Sequence, residues 1–281
     1  MVVFPNCKIN LGLSILDKRE NGYHNLQSVF LPVQLCDVLE IVEAEKDQIF
    51  IYGKKVNGDP KKNSCYKALE ILRGVRTFPF VHIHLFKKIP MGAGLGGGSS
   101  DGAFTLKLLN EKFCLGFSKG ELAKFALEIG SDCVFFIYNK PMLVEGQGEI
   151  LSEFEINLND YFIGIAYPEI HVDTAIAYGL YDEFKNQSII KSKNSLKENY
   201  QNLKPEKWRD LIINDFEKVI LPKYPKIAIL KNTFYEEGAS FALMSGSGSS
   251  VFGIFKKDIY LNIIKLFKSQ NPKIFICDLQ F

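Results

Sequence analysis

The amino-acid sequence predicts an α+β protein of two domains, and three observations carry that expectation. The 281 residues are 47% hydrophobic, enough apolar surface for two modest cores. Stretches whose apolar residues recur at helical spacing are interleaved irregularly with stretches that alternate as strands, an order that argues against a parallel doubly wound sheet. No internal repeat or long Gly/Ser linker interrupts the chain. A polar stretch between Glu153 and Asp160 separates two strand-like runs and sets the expected boundary, with domains at 1–155 and 156–281.

Taken in order, Cys7 to Leu16 reads as a strand mixed with Asn10 and Gly12, Asn21-Gly22 marks a turn, and Val29 to Val42 carries strand signals punctuated by Pro32 and Asp37. Cys65, Ala68, Leu69 and Leu72 place a helix over Asn63 to Arg73, and Phe80 to Phe86 alternates as a strand. A helix from about Ser100 to Phe113 presents Ala103, Leu106, Leu109 and Phe113, with Gly116 closing it. Ser118 to Glu121 is a capping box that opens the next helix, which Gly130 ends. The second half reads as a strand at Tyr161 to Tyr167, a Lys/Asn-rich segment at Lys185 to Lys207 and two helices. Strands at Phe241 to Met244 and Val251 to Phe255, a helix and a strand from Lys273 to Leu279 follow.

Lys and Arg total 34 against 32 Asp and Glu, so the formal charge of +2 gives no footprint for nucleic acid or an anionic membrane. Any affinity for phosphate has to be local. The six cysteines, at 7, 36, 65, 114, 133 and 277, never form C-x-x-C and lie in apolar stretches, which points to buried thiols in a reducing compartment. Pro5 and Lys8 break the first apolar run too early for a signal peptide, and no later stretch is long and apolar enough to span a membrane. A cytoplasmic protein with a small-molecule substrate is expected.

The densest chemical signal is Pro90-Met91-Gly92-Ala93-Gly94-Leu95-Gly96-Gly97-Gly98-Ser99-Ser100, with five glycines in positions 92–98 directly before a helix. Glycine lets backbone N–H groups turn toward an anion, and the helix start adds free donors and the positive end of its dipole, so a polyphosphate is the natural guest. Gly92, Gly94 and Gly97 formally satisfy G-x-G-x-x-G. A dinucleotide fingerprint, however, follows its strand at once, and Lys87 to Pro90 intervene here. A P-loop requires Lys after its last Gly, where this chain has Gly98 and Ser99. His82 and His84 share a strand face without an evident third ligand and read as solvated histidines rather than a metal pair. Asn63 precedes a helix and Asp132 an apolar run, positions where either side chain serves as a cap or as a functional group.

At these residues the sequence resembles the GHMP kinases, whose second motif is matched almost throughout by Pro90 to Ser100. Cys7 to Leu13 is similar to the family's first motif and Met244 to Phe252 to its third, a glycine turn that packs near the phosphate loop. Asn21-Gly22-Tyr23-His24-Asn25-Leu26-Gln27-Ser28 resembles the segment typical of members acting on 4-diphosphocytidyl-2-C-methyl-D-erythritol. Those members often have Asp-Val-Pro-Phe-Phe where this chain has Asp132-Cys133-Val134-Phe135-Phe136.

The resemblance implies an N-terminal domain like that of a small-subunit ribosomal protein and a ferredoxin-like C-terminal domain. It implies transfer of the γ-phosphoryl of ATP, accompanied by Mg2+, to the tertiary hydroxyl of that substrate. Mevalonate, homoserine or a sugar as acceptor, or dinucleotide-dependent oxidation and reduction, are the alternatives. By the same resemblance Asp132 is the base for the hydroxyl proton. Lys8 lies in a run of apolar and small residues where an unpaired charge is costly, so it is expected to pair with Asp132 and hold the hydroxyl, supported by Asn10 two residues on and hence on the same strand face. Tyr23, His24 and Tyr178 surround the cytosine, with Thr174 more distant from it. Asn63 reaches adenine or ribose, the loop from Pro90 to Ser100 holds ATP, and the Ser100 hydroxyl is the candidate Mg2+ ligand.

Overall fold

The computed structural model describes residues 1–54, 58–186, 200, 203–259 and 273–277. In chain order its strands are β1 (Val2–Val3), β2 (Asn6–Lys18), β3 (His24–Cys36), β4 (Val38–Glu43), β5 (Gln48–Gly53), β6 (Val81–Lys87), β7 (Met142–Gly146), β8 (Ile150–Glu153), β9 (Tyr161–Tyr167), β10 (Phe241–Met244), β11 (Val251–Lys256) and β12 (Lys273–Cys277). The helices are α1 (Ser64–Val75), α2 (Gly97–Lys112), α3 (Lys119–Ile129), α4 (Ser131–Tyr138), α5 (Thr174–Asn186), α6 (Glu217–Lys223) and α7 (Pro225–Glu236). Two compact units result. One contains Met1–Cys7, Leu35–Pro90 and Gly96–Lys140, the other Lys8–Gln34, Met91–Leu95 and Pro141–Phe281.

In the first unit a sheet of order β1-β4-β6-β5 is antiparallel except for the parallel β5/β6 pair. The alternation in β6 works as its sequence predicts. Val81, Ile83 and Leu85 are fully buried, while His82 and His84 occupy the other face beside Phe50, whose ring stacks on His84 at 4.9 Å. No group of three His, Cys, Asp or Glu able to hold a metal occurs among the described residues. Helix α1 buries the predicted Cys65, Ala68, Leu69 and Leu72, and α2 packs against both α1 and β4.

Helix α2 begins three residues earlier than its apolar spacing suggests, inside the glycine run. Gly96 caps it in the left-handed conformation. A Cβ on Gly97 would lie 2.8 Å from Ile89 Cγ2, so this glycine serves close packing as well as turning. The capping box of α3 is present, with Ser118 Oγ accepting from Glu121 N–H at 3.3 Å and Glu121 Oε2 accepting from Ser118 N–H at 2.9 Å. Gly130 then caps α4, a helix where local sequence shows only an apolar run.

The second unit holds two sheets, β2-β3-β7-β8 and an antiparallel β10-β11-β9-β12. Counted from β9, the latter has the order 2-3-1-4 of a ferredoxin-like split β-α-β unit. Pro32 sits inside β3 but beyond Leu26–Phe30, the stretch paired with β7, so its missing N–H costs no bond there. Phe162, Ala166, Ala177, Tyr181, Phe216, Ile220, Ile227, Phe234 and Phe255 form the core against which α5, α6 and α7 pack. Most of the Lys185 to Lys207 segment, the helix expected after Phe255 and the end of the last strand lie outside the described residues. No helix among those described is long and apolar enough to cross a membrane.

Candidate active site

The phosphate loop alternates left-handed glycines with buried apolar residues. Gly92, Gly94 and Gly96 have φ of 59°, 76° and 68°, and Ala93 and Leu95 are each 1% exposed. Alternation of this kind swings successive peptide planes, which is how a short loop turns its amides toward an anion. Where α2 starts, the N–H groups of Gly97, Gly98 and Ser99 precede the first carbonyl the helix can offer, while Ser100 N–H already bonds Gly96 O at 2.9 Å. Ser100 Oγ and Asp101 Oδ1 are buried without a hydrogen-bond partner. An orphaned hydroxyl beside free helix donors fits a cation bound chiefly through polyphosphate oxygens, the usual way Mg2+ enters such sites.

Within the second unit one hydroxyl joins all three sequence motifs. Ser245 Oγ accepts from Asn10 N–H at 3.2 Å and donates to Gly94 O at 2.8 Å. Ser250 N–H donates to Ala93 O at 3.1 Å, and Lys8 N–H to Leu95 O at 2.9 Å. A Cβ on Gly94 would fall 2.0 Å from Ser245 O, so no other residue fits there. Nothing in local periodicity signals Ser245. Only the run Ser245-Gly246-Ser247-Gly248-Ser249-Ser250 marks the segment.

Lys8 is 4% exposed, and its ammonium donates to Asn10 Oδ1 at 2.5 Å and lies 4.1 Å from the Phe30 ring centroid. Asn10 is fixed in turn, donating to Ser28 Oγ at 3.0 Å, and Ser28 donates to Gly12 O at 2.6 Å. The i, i+2 spacing that put Lys8 and Asn10 on one strand face brings them together. Asp132 stands in the first turn of α4, behind the Gly130 cap and so not itself the N-cap, where a carboxylate is favoured by the helix dipole. Its neighbour Cys133 is pushed up to about 12, by burial above all. Asn63 caps α1, accepting from Cys65 N–H at 2.9 Å through Oδ1.

His24 is buried at the start of β3, its Nε2 donating to Asp182 Oδ1 at 2.7 Å and its ring stacked on Tyr178 at 4.9 Å and 8°. Tyr178 meets Phe216 edge-on at 4.9 Å. The structure therefore seats Tyr178 directly on His24, while Tyr23, held by an Asn21 turn, is 63% exposed. Asp182 was not singled out in the sequence, although it follows Tyr178 by one helical turn and so shares its face. Burial opposes ionisation of Asp182, but hydrogen bonds from Lys18 and His24 hold its carboxyl below the ordinary value. Thr174, at the exposed start of α5, lies 2.9 Å from Ser247 Oγ, and Ser249 donates to Ile170 O. His171 was also missed. A Cβ on Gly92 would come within 2.1 Å of its Nδ1.

Comparison with known proteins bears on this arrangement of three motifs around a glycine loop. Residues 63–140 match the model of the GHMP kinases N terminal domain and residues 182–266 that of the GHMP kinases C terminal domain. The chain belongs to the GHMP kinase family. It is 44% identical over 262 residues to 4-diphosphocytidyl-2-C-methyl-D-erythritol kinase of Bacteroides fragilis, covering 92% of this chain and 93% of that one. The enzyme of the same name from Cytophaga hutchinsonii is 43% identical over 260 residues, covering 91% and 92%. A crystal structure of 4-(cytidine 5'-diphospho)-2C-methyl-D-erythritol kinase superimposes with a TM-score of 0.82 at 25% identity over 100% of both chains. Methanococcus jannaschii mevalonate kinase superimposes with a TM-score of 0.73 at 16% identity over 100% of this chain and 98% of that one, a likeness of fold. The mixed α+β architecture expected from the sequence is that of this kinase family.

Proposed function

We propose that this GHMP kinase transfers the γ-phosphoryl of ATP to the tertiary hydroxyl of 4-diphosphocytidyl-2-C-methyl-D-erythritol, giving the 2-phosphate and ADP in the non-mevalonate route to isoprenoids. The observation that carries the reading is the identity of 44% to a kinase of that name over 92% of the chain. Homoserine or mevalonate as acceptor has no comparable support, since those neighbours share the fold alone.

In this reading the loop from Pro90 to Ser100 takes the ATP phosphates on backbone amides, and Asn63 reaches adenine or ribose. Mg2+ neutralises polyphosphate charge when bound, and Ser100 Oγ is the protein atom that would hold it. Asp132 accepts the hydroxyl proton as phosphoryl transfer proceeds. Lys8, kept in place by Asn10, supplies the positive charge that pairs with Asp132 and holds the acceptor hydroxyl. Tyr23 stacks on the cytosine, His24 bonds its polar edge and Tyr178 covers the other face, with Thr174 farther along the substrate. The reaction is placed in the cytoplasm, a reducing compartment suited to the buried thiols of Cys7, Cys65, Cys133 and Cys277.

The test is ADP release with Mg-ATP against diphosphocytidyl-methylerythritol, mevalonate, homoserine and galactose. Strong stimulation by the cytidyl compound alone is expected. Equal turnover of mevalonate or homoserine would overturn the assignment.

A further inference from the structure

Lysine is seldom fully buried, because an ammonium removed from water needs anionic partners. Lys87, the last residue of β6, is 3% exposed. Its ammonium donates to Asp37 Oδ2 and, at 2.6 Å, to Asp101 Oδ2. Asp37 occupies the break between β3 and β4, and its other oxygen accepts the N–H groups of Lys88 at 2.5 Å and Ile89 at 2.8 Å, the two amides that follow β6. Asp101 stands one turn into α2. The first residue of that helix rests on the same strand end, since a Cβ on Gly97 would lie 2.8 Å from Ile89 Cγ2 and 3.4 Å from Lys87 Nζ. All of these groups belong to the first unit.

Apolar residues of similar volume would serve stability at least as well as two carboxylates around one ammonium. What the charges add is direction. The ammonium ties the helix at Asp101, Asp37 ties the two amides that leave the strand, and so the residues just before and just after the loop are held to one point. We propose that Asp37, Lys87 and Asp101 form a positioning triad that fixes the start of α2 against the end of β6 and thereby sets affinity for the nucleotide polyphosphate. All three are buried. They act through the amides of Gly97, Gly98 and Ser99, whose direction they set. The proposal rests on the reading that the start of α2 receives the ATP phosphates.

The test is calorimetric titration of the full chain with Mg-ATP alone, paired with KM for the cytidyl substrate in the turnover assay. Lys87→Met combined with Asp101→Asn removes one charge of each sign and leaves Asp37 on its two amides. The Kd for Mg-ATP should rise about 10-fold or more, while KM for the cytidyl substrate stays within about 2-fold of the parent. If that pair does not fold, Asp37→Asn is measured the same way. It keeps one carbonyl oxygen and most of the shape, and a rise of about 3-fold in the ATP Kd is expected. A folded variant of either kind with the parent's ATP Kd overturns the proposal. So does one in which the ATP Kd and the cytidyl KM rise together, the signature of general loosening. Parent protein that binds Mg-ATP yet phosphorylates no cytidyl substrate contradicts the substrate reading alone, because the titration does not use that substrate.

Discussion

Gly94→Ala asks how much of the phosphate loop's geometry depends on one missing side chain. The native φ of 76° lies in the left-handed region, which costs an L-residue about 1–2 kcal/mol. The new Cβ would fall 2.0 Å from Ser245 O, over an ångström short of an ordinary C···O contact, and the opposing atom is backbone and cannot rotate away. Relief requires parting the loop from the third motif, with loss of the Ser245 Oγ to Gly94 O and Ser250 N–H to Ala93 O bonds, about 1 kcal/mol each. The sum is about 3–4 kcal/mol. Gly116→Ala is the matched control, with nearly the same φ of 79° but nothing within 4 Å of its Cβ, so only the backbone term of about 1–2 kcal/mol applies. Urea unfolding followed by circular dichroism reads the difference between the two, and titration with Mg-ATP reads the loop. Equal destabilisation by both variants, or a Gly94→Ala protein with the parent's ATP affinity, would refute the reasoning.

Asp132→Asn keeps shape but removes the proton acceptor, and should lower kcat about 100-fold or more with ATP binding nearly intact, as rapid-quench turnover and titration would show. Tyr23→Ala should raise KM for the cytidyl substrate about 5-fold to 150-fold with little change in kcat or in KM for ATP, whereas Tyr23→Phe should match the parent. Asn63→Ala should cost about 1 kcal/mol in urea unfolding through loss of the α1 cap, and a rise in KM for ATP beyond that would reveal contact with the nucleotide. For Asp182, whose folded carboxyl lies below its ordinary value, the stabilisation is present above the unfolded value near pH 4 and is lost as pH falls through the folded one. Asp182→Asn should therefore lower the urea midpoint at pH 7 more than at pH 3.

What the sequence made legible were features encoded within a few residues. The capping box at Ser118, the buried stripe of α1 and the alternation of β6 are each decided by neighbours three or four positions apart or closer, and each formed as read. Helix α5 went unread, because Thr174-Ala175-Ile176-Ala177-Tyr178-Gly179 combines β-formers with a glycine and becomes helical by packing Ala177 and Tyr181 into the core. Strand β5 carries the β-formers Ile49, Phe50, Ile51 and Tyr52, but its place beside β6 comes from a parallel pairing that local sequence does not show. At the site, the glycine loop and the Lys8/Asn10 pair could be found from residue type and spacing. Asp182 and the Asp37–Lys87–Asp101 triad could not, because each acts through partners brought together only by the tertiary fold, and the third motif marks the segment of Ser245 without showing that its hydroxyl bonds Asn10 and Gly94.

The Ser245 hydroxyl has a bearing on the order in which the protein becomes competent during synthesis. Its partners lie 235 and 151 residues earlier in the chain, at Asn10 and Gly94. When the glycine loop leaves the ribosome, the groups that hold Ala93 and Gly94 have not yet been translated. Contacts of such sequence separation form late, after most of the chain's entropy has been surrendered. A nascent chain that has already folded α1 to α4 thus carries the amides at the start of α2 without the third-motif bonds to Ala93 and Gly94. The bonds that hold Ala93 and Gly94 should therefore form only once residues 245–250 have emerged, which makes the fixing of this stretch of the glycine loop a late step of folding.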